Sequence, residues 1–343
     1  ALLAASDDAT TVADFLTAAV AGYEVALRAA HVMFPRAPGD FYHSSGMGDT
    51  IAAAVAVAKL RRFDAEQVER TVKIAWQHAP LASFTLPMIK ESIGWAAHTG
   101  LVAADLAGLG FMSSPAPVDD TPNHLHPQSP FHVHGAVDDP YVTSIGDRFE
   151  CSDLYIKRFA CCAYTHAAAE GLLTLMAEHE IGAQSIERID LYTHRSAVFL
   201  DDPEPADLDS AQFSFQFVLA SAACFGRVGA DEMTVEGLTD PVRLELASKI
   251  TVSHDPALDA GYPAAYPTRL EIHWGKGRRV EGSFDRAPAF PRPGFGIEEA
   301  VEKCRLLLTR RIGAEAAERM VDGFENDRSP VLELMSVLWG ESA

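Results

Sequence analysis

The chain has 343 residues, of which 48% are hydrophobic and 22% are charged. These are ordinary values for a globular protein, and the length suits one large or two medium domains of roughly 150 residues each. A net charge of −20 argues against nucleic acid and anionic membranes as partners. No apolar run approaches the roughly 20 residues that a membrane span needs.

Cysteine usage and the first residues favour a reducing cytoplasm as the location. There are five cysteines, two of them adjacent (Cys161 and Cys162), and no C-x-x-C pair suggests a disulfide framework or a zinc site. The opening "ALLAASDDATT" lacks the basic start and apolar block of a signal peptide. We therefore expect a cytoplasmic protein.

Three segments in the first 110 residues predict helices. Residues 12–30 carry apolar side chains at steps of three and four. Residues 64–79 begin with Asp64 and place Gln67 three positions later, which indicates a capping box. Residues 92–110 are small and apolar and end in glycines, typical of a buried helix with a glycine stop.

The pattern changes twice after residue 110. Residues 113–150 are rich in Pro, His, Asp and Ser and suggest a long surface excursion. A mixed region follows, with one helix near its start, one helix over 210–226 and strands over 186–194, 248–255, 268–274 and 278–285. The last two strands are joined by "GKG", which predicts a hairpin turn.

The chain returns to helical patterns after "PAFPRPGFG". The order therefore predicts a fold that is mainly α with an inserted α+β lid domain. We expect the helical domain to comprise residues 1–150 and 291–343, and the α+β domain residues 151–290.

Several stretches, in order, resemble the MmgE/PrpD family of 2-methylcitrate dehydratases, cis-aconitate decarboxylases and iminodisuccinate epimerases. They are "AAVAGYEVALRAA", "FYHSSGMGDTIAAAVAVAKL", "IKESIGWAAHTGLVAADLAGLGF", "YIKRFACCAYTHAAAEGL", "AQFSFQFVLASAACFG" and "SHDPALDAGYPAAYPTRLEIHWGKGR". The resemblance implies a helical domain with a smaller α+β lid, a homodimer, and a cofactor-independent reaction on a small di- or tricarboxylate.

The implied reaction begins with removal of a proton next to a carboxylate, which requires a base of near-neutral pKa and cations for the developing charge. The resemblance implies His43 as the acid/base, with Lys90 and Lys157 as catalytic or substrate-binding cations in short loops. Arg158 is a second carboxylate ligand. His166 opens a helix, where it either contacts substrate or only caps and packs.

Two small polar residues near His43 have a weaker signal. Ser44 and Asp49 either orient His43 and contact the substrate or simply start the following helix, and for both the helix-start role is the simpler interpretation. We retain Ser44 as a candidate substrate-binding residue.

Two departures from the family pattern bear on the reaction. Phe217 stands where many relatives have tyrosine, so a hydroxyl is missing and decarboxylation is put in doubt. The chain also shows nothing similar to an N-terminal Asp-Asp-x-x-His segment of the relatives. From this we expect that the N-terminal segment is missing and that a second chain could supply it.

The run "NHLHPQSPFHVHG" (123–135) holds four histidines: His124, His126, His132 and His134. A zinc or nickel site is physically possible there. Pro127 and Pro130 interrupt the run, however, and the implied reaction needs no metal. We therefore predict a solvated or substrate-entry loop, with no metal and no cofactor.

The sequence thus predicts a dehydratase that acts on a hydroxy-tricarboxylate similar to 2-methylcitrate. The alternatives are a racemase, epimerase or decarboxylase on a related acid and, in a different class, a non-catalytic subunit or degenerate relative.

Overall fold

The computed structural model describes residues 1–33, 46–79, 88–111, 140–154, 156–262, 264–285 and 296–339. These residues divide into two units. The helical unit takes its described residues from Ala1–Pro35, Asp40–Leu154 and Ile297–Ala343, and the α+β unit takes its own from Tyr155–Gly296.

The described part of the helical unit is built from nine α-helices. They are α1 (Leu2–Ala5), α2 (Val12–Met33), α3 (Met47–Leu60), α4 (Ala65–His78), α5 (Met88–Gly108), α6 (Pro140–Thr143), α11 (Ile297–Ile312), α12 (Ala314–Phe324) and α13 (Val331–Ser336). The α+β unit contributes α7 (His166–Glu178), α8 (Leu208–Gln212), α9 (Phe215–Phe225) and α10 (Pro241–Ala247).

Helix α3 packs against both α2 and α5, and glycines allow the close approach. A Cβ atom at Gly22 of α2 would lie 2.5 Å from the Ala52 carbonyl oxygen. A Cβ atom at Gly100 of α5 would lie 2.6 Å from the Ala53 Cβ. The small alanine side chains of α3 and the glycines of α2 and α5 therefore allow the helix backbones to pack in close contact.

Two of the predicted helix ends are confirmed. The Asp64 carboxylate accepts the Gln67 backbone N–H at 2.9 Å, and the Gln67 side chain accepts the Asp64 N–H at 3.0 Å. This is the predicted capping box of α4. Helix α5 is followed by Gly110 at φ +80°, which supplies the predicted glycine stop.

A buried arginine attaches the segment around residues 140–153 to α2. The Arg28 guanidinium donates to the carbonyl oxygens of Tyr141 and Arg148 and pairs with Glu24 at 3.1 Å. Glu24 in turn accepts the Cys151 backbone N–H at 2.7 Å. Most of the predicted excursion over 113–150 lies outside the described residues; its described end forms α6.

The last helices pack against the start of the chain. Thr11 and Pro330 form an antiparallel bridge. The Val331 N–H donates to the Thr10 carbonyl, and the Val12 N–H donates to the Ser329 carbonyl. The helical unit is therefore closed by residues that are more than 300 positions apart in sequence.

The α+β unit contains a four-stranded sheet of β1 (Ile186–Thr193), β2 (Ile250–His254), β3 (Thr268–Trp274) and β4 (Arg278–Phe284). The order is β2-β1-β3-β4, with β1 and β2 parallel and the other pairs antiparallel. One face buries apolar side chains such as Ile189, Leu191, Leu270 and Ile272 against α7 and α9.

Most strand and helix predictions here are confirmed, with one correction. Gly275, Lys276 and Gly277 all have positive φ and form the predicted turn between β3 and β4. The single helix expected over 210–226 is wrong, because it is two helices. Ser214 is extended and caps α9 by accepting the Phe217 N–H at 2.9 Å, so α8 ends before it.

The predicted fold class, mainly α with an inserted α+β part, is confirmed by this mostly helical chain with one small mixed sheet. Within the described residues, none of the helices combines the length and apolar character needed to cross a membrane.

Candidate functional site

The segment 156–166 of the α+β unit carries three of the predicted site residues. Its backbone is fixed at two points: the Ala160 N–H donates to Val228 O at 2.9 Å, and the Cys162 N–H donates to Gln212 O at 2.8 Å. The Thr165 hydroxyl donates to Cys162 O at 2.8 Å and so closes the last turn before α7. Residues 156–162 are therefore held in a defined conformation without being helix or strand, and the short 3₁₀-helix Ala163–Thr165 leads from them into α7.

Lys157 and Arg158 are exposed cations in this segment, and the loop position predicted for Lys157 is confirmed. The Lys157 ammonium donates to Cys161 O at 3.2 Å. The Arg158 guanidinium pairs with Glu170 at 2.6 Å through Nη1 and lies over the Phe159 ring. A guanidinium has five N–H donors, so this pair leaves donors of Arg158 for a carboxylate.

His166 is the first residue of α7, as predicted, and its side chain is only 1% exposed. Its ring meets the buried Phe159 ring edge-on at 5.2 Å. In this structure His166 therefore packs, which is one of the two roles the sequence left open. The structure does not bring its ring to the surface with Lys157 and Arg158.

The remaining predicted residues are only partly described. His43, Ser44 and the histidine run 123–135 lie outside the described residues. Lys90 is a correction, because the structure places it in the first turn of α5 rather than in a loop; its side chain lies outside the description. Asp49 accepts the Gly46 N–H at 3.2 Å and thus caps α3, the simpler of its two predicted roles.

Phe217, at the position where the hydroxyl is missing, is fully buried in α9. The buried Arg243 guanidinium lies 4.7 Å from the centre of its ring. The side chain is therefore part of the core and of a cation–π contact.

Sequence reasoning missed a cluster of four aromatic side chains beside this segment, which we call the histidine–tyrosine cluster: His194, Tyr164, Tyr262 and Tyr266. His194 follows β1, and its ring stacks on Tyr262 with centroids 4.7 Å apart. The Tyr164 ring meets His194 edge-on at 5.5 Å. The Tyr164 and Tyr262 hydroxyl oxygens are 3.0 Å apart and share a hydrogen bond.

His194 is 1% exposed, and neither of its ring nitrogens has a hydrogen-bond partner among the described residues. Burial lowers its pKa to about 4, so the imidazole is neutral at pH 7. Burial also raises the pKa of Tyr266 to about 12, and burial together with the Tyr262 hydroxyl raises the pKa of Tyr164. These groups are therefore uncharged at neutral pH.

An acidic residue holds the backbone around the cluster. Asp259 accepts the Arg195 N–H at 2.8 Å and lies 3.0 Å from the His254 ring nitrogen Nε2. The Arg195 N–H is the main reason that the Asp259 pKa is lowered. Asp259 thus fixes the short 3₁₀-helix Pro256–Gly261, which precedes Tyr262, to the ends of β1 and β2.

The sequence contained a partial signal for this cluster. "LYTH" ends a predicted strand, and "GYPAAYP" places two tyrosines four residues apart outside any regular element. Neither pattern shows that residues 164, 194 and 262 meet, because residues so far apart in the chain come into contact only in the tertiary structure.

One group in the described residues has the spacing of metal ligands, on the outer face of the sheet. Donor atoms of Asp190, Glu271 and His273 lie within 4.8 Å of one another. Arg188 pairs with Asp190 at 2.8 Å and Arg279 pairs with Glu271 at 2.9 Å. The two guanidinium groups already neutralise both carboxylates, so the arrangement is best described as a surface ion network.

Two family models match the chain. Residues 1–124 match the MmgE/PrpD N-terminal domain, and residues 159–326 match the MmgE/PrpD C-terminal domain. No curated protein matches the sequence. Residues 1–124 are thus assigned to the family's N-terminal domain, which contradicts the expectation that the family's N-terminal segment is missing. The expectation of a second chain was based on the absence of this segment, and that basis no longer applies.

Proposed function

Because the chain belongs to the MmgE/PrpD family, we propose that it is a cofactor-independent lyase that eliminates water from a small hydroxy-tricarboxylate similar to 2-methylcitrate. The observation that carries the proposal is the match to both family domains. The exposed cations Lys157 and Arg158, on an anchored segment, supply the expected partners for substrate carboxylates.

In the proposed reaction, His43 removes the proton from the carbon next to a carboxylate. The developing negative charge is held by the ammonium groups of Lys90 and Lys157. The bond from the neighbouring carbon to its hydroxyl then breaks, the hydroxide takes up a proton, and water leaves. Arg158 binds a second carboxylate, because a planar guanidinium can hold two oxygens at once. Ser44 is a further candidate for substrate contact.

Epimerisation is a second candidate, and Phe217 favours it. A buried phenyl ring offers no proton at that position. Reprotonation of the carbanion by a histidine or lysine on the opposite face needs no hydroxyl there. Both candidate reactions share the first step, removal of a proton next to a carboxylate.

The shared step can be measured directly. The protein is incubated with 2-methylcitrate or citrate in D₂O, and proton NMR follows loss of the signal from the hydrogen next to the carboxylate, while ultraviolet absorbance follows a conjugated alkene. Exchange with alkene formation supports the lyase, and exchange with inversion but without alkene supports the epimerase.

Variants assign the residues in this assay. His43→Ala is expected to abolish exchange with folding intact, and Lys157→Ala to slow it by about 100-fold or more. Lys276→Ala, in the exposed turn between β3 and β4, is the matched control. If the wild type shows no exchange and no citrate-like acid raises its melting temperature, the chain is a non-catalytic relative instead.

A further inference from the structure

The hydroxyl pair of the histidine–tyrosine cluster is close to the proposed substrate-binding segment. Tyr164 lies in that segment, seven residues after Lys157. The Lys157 ammonium donates to Cys161 O at 3.2 Å, three residues before Tyr164, and the Tyr164 hydroxyl oxygen is 3.0 Å from that of Tyr262. The Lys157 ammonium and the tyrosines therefore share one neighbourhood of the α+β unit.

We propose that Tyr262 donates a hydrogen bond to a carboxylate oxygen of the substrate bound at Lys157, with Tyr164 and His194 as its positioning residues. This inference rests on the proposed function, and it names a contact residue that neither the sequence prediction nor the family match supplied.

The geometry of the hydroxyl pair supports a donor role. Two hydroxyl oxygens 3.0 Å apart use only one of their two protons between them. When Tyr164 is the donor, the Tyr262 proton is directed to another acceptor. A hydroxyl whose oxygen already accepts a hydrogen bond is also a stronger donor. An anionic carboxylate oxygen is the acceptor that gains most from such a donor.

The protonation states agree with this role. Burial and the neighbouring Tyr262 hydroxyl raise the pKa of Tyr164, so Tyr164 keeps its proton at neutral pH. Neutral His194 adds no charge of its own next to the pair. The site would thus present hydroxyl donors to an anion that is held electrostatically by Lys157.

His194 is a positioning residue because it acts through the Tyr262 ring. The two rings are stacked 4.7 Å apart with 17° between their planes. The backbone before Tyr262 is fixed by Asp259, which accepts the Arg195 N–H and contacts the His254 ring. The stack and the Asp259 contacts together restrict the position of the Tyr262 ring, which lowers the entropy cost of binding.

The test measures citrate binding by isothermal titration calorimetry on the full chain. Tyr262→Phe removes one oxygen and keeps the ring stack, and we expect about tenfold weaker binding, the effect of one hydrogen bond to a charged acceptor. Tyr164→Phe is expected to weaken binding about threefold in the wild type and to add nothing in the Tyr262→Phe background, because it acts only through Tyr262.

Three further variants complete the design. Lys157→Ala locates citrate at the proposed site and is expected to weaken binding strongly. His194→Ala is expected to weaken binding about fivefold by loosening the stack, and His194→Phe is expected to restore most of that loss. Tyr192→Phe, whose ring lies beneath Arg269 on the outer face of the sheet, is the matched control and should bind as the wild type does.

The outcomes separate the two proposals. If Lys157→Ala loses binding while Tyr262→Phe keeps it, the hydroxyl donor is refuted and the proposed function stands. An equal loss in Tyr192→Phe also overturns the inference, since the effect would then be general. A wild type that neither binds citrate nor exchanges its substrate proton removes both proposals together.

Discussion

His194 is a buried polar side chain whose ring nitrogens find no partner in the described part of the chain. Burying such groups without hydrogen bonds costs roughly 1–3 kcal/mol each. The imidazole of His194 is buried in its neutral form, because burying the charged form would cost far more free energy. The stability of the protein should therefore depend on pH through this residue.

The sign of that dependence follows from the lowered pKa. Between pH 6.5 and about 4, the unfolded chain binds a proton at His194 and the folded chain does not. Folding stability from this group is therefore complete above pH 6.5 and is lost as the pH falls through this window, by about 3 kcal/mol. Below pH 4 both states are protonated and this loss stops.

His194→Phe should remove this contribution, because phenylalanine does not titrate. We expect the free energy of unfolding, measured by urea denaturation, to fall less between pH 7 and about pH 4 in the variant than in the wild type, by about 3 kcal/mol. Asp259, His254 and the three tyrosines are present in both proteins, so the two proteins differ only at residue 194. Parallel pH profiles would refute the buried neutral histidine.

At the scale of elements, the packing of α2, α3 and α5 depends on the absence of side chains at two glycines. Gly22 and Gly100 each face the α3 backbone at distances that no Cβ atom could occupy. Helices that approach this closely gain many weak contacts along their backbones. The same α5 helix also contains Gly94, and no atom of the described residues lies within 4 Å of its Cβ position.

Gly100→Ala and Gly94→Ala therefore form a matched pair. Alanine favours a helix over glycine by about 1 kcal/mol at either position. At Gly94 this gain should appear as a small increase in the free energy of unfolding. At Gly100 the new methyl group would collide with Ala53 and the Thr50 carbonyl, and we expect a net loss of about 1–3 kcal/mol.

Urea unfolding followed by circular dichroism measures both variants. If Gly100→Ala were as stable as Gly94→Ala, α5 would not pack on α3 as closely as described.

At the scale of the whole molecule, the net charge of −20 opposes the compact state. Many of the acidic groups form surface pairs, such as Arg70 with Glu66 and Lys249 with Glu245. Exposed pairs of this kind contribute little individually. Repulsion among the 20 excess negative charges should therefore dominate the effect of salt.

We expect the melting temperature at pH 7 to rise by several degrees when NaCl is raised from about 0.01 M to about 0.15 M, because the Debye length shortens from about 30 Å to about 8 Å. The same series near pH 5.0, the isoelectric point of the sequence, is the control and should show a much smaller rise. A fall at pH 7 would mean that attractive pairs outweigh the repulsion.

Features that depend on neighbours in sequence were predictable. The capping box of Asp64 and Gln67, the turn over 275–277 and the alternating strands β1 and β3 rest on local backbone chemistry. The errors were also local: Ser214 divided a predicted helix, and Lys90 belongs to α5 rather than to a loop. At Ser214, a helix cap interrupts the continuous apolar pattern. At Lys90, the helix begins earlier than the apolar pattern indicates.

Of the candidate site, the sequence indicated Lys157, Arg158 and His166 through family resemblance. Lys157 and Arg158 lie directly before the match to the C-terminal family domain, and His166 lies within it. The sequence could not show that Lys157 is exposed whereas His166 is buried. Burial depends on what packs against a residue, here Phe159 against the His166 ring, and one sequence does not state such contacts.

By itself, the sequence determined the class of fold, most of its elements and the excess of negative charge, because each is fixed by residue type and short-range spacing, and its resemblance to known proteins indicated the family. Only the tertiary structure decided that Tyr164, His194 and Tyr262 form one cluster. Tyr164 lies in the 3₁₀-helix Ala163–Thr165, His194 directly follows β1, and Tyr262 directly follows the 3₁₀-helix Pro256–Gly261, nearly a hundred positions after Tyr164. The packing of these elements within the α+β unit brings them together, and the desolvation that lowers the pKa of His194 exists only after that packing is complete.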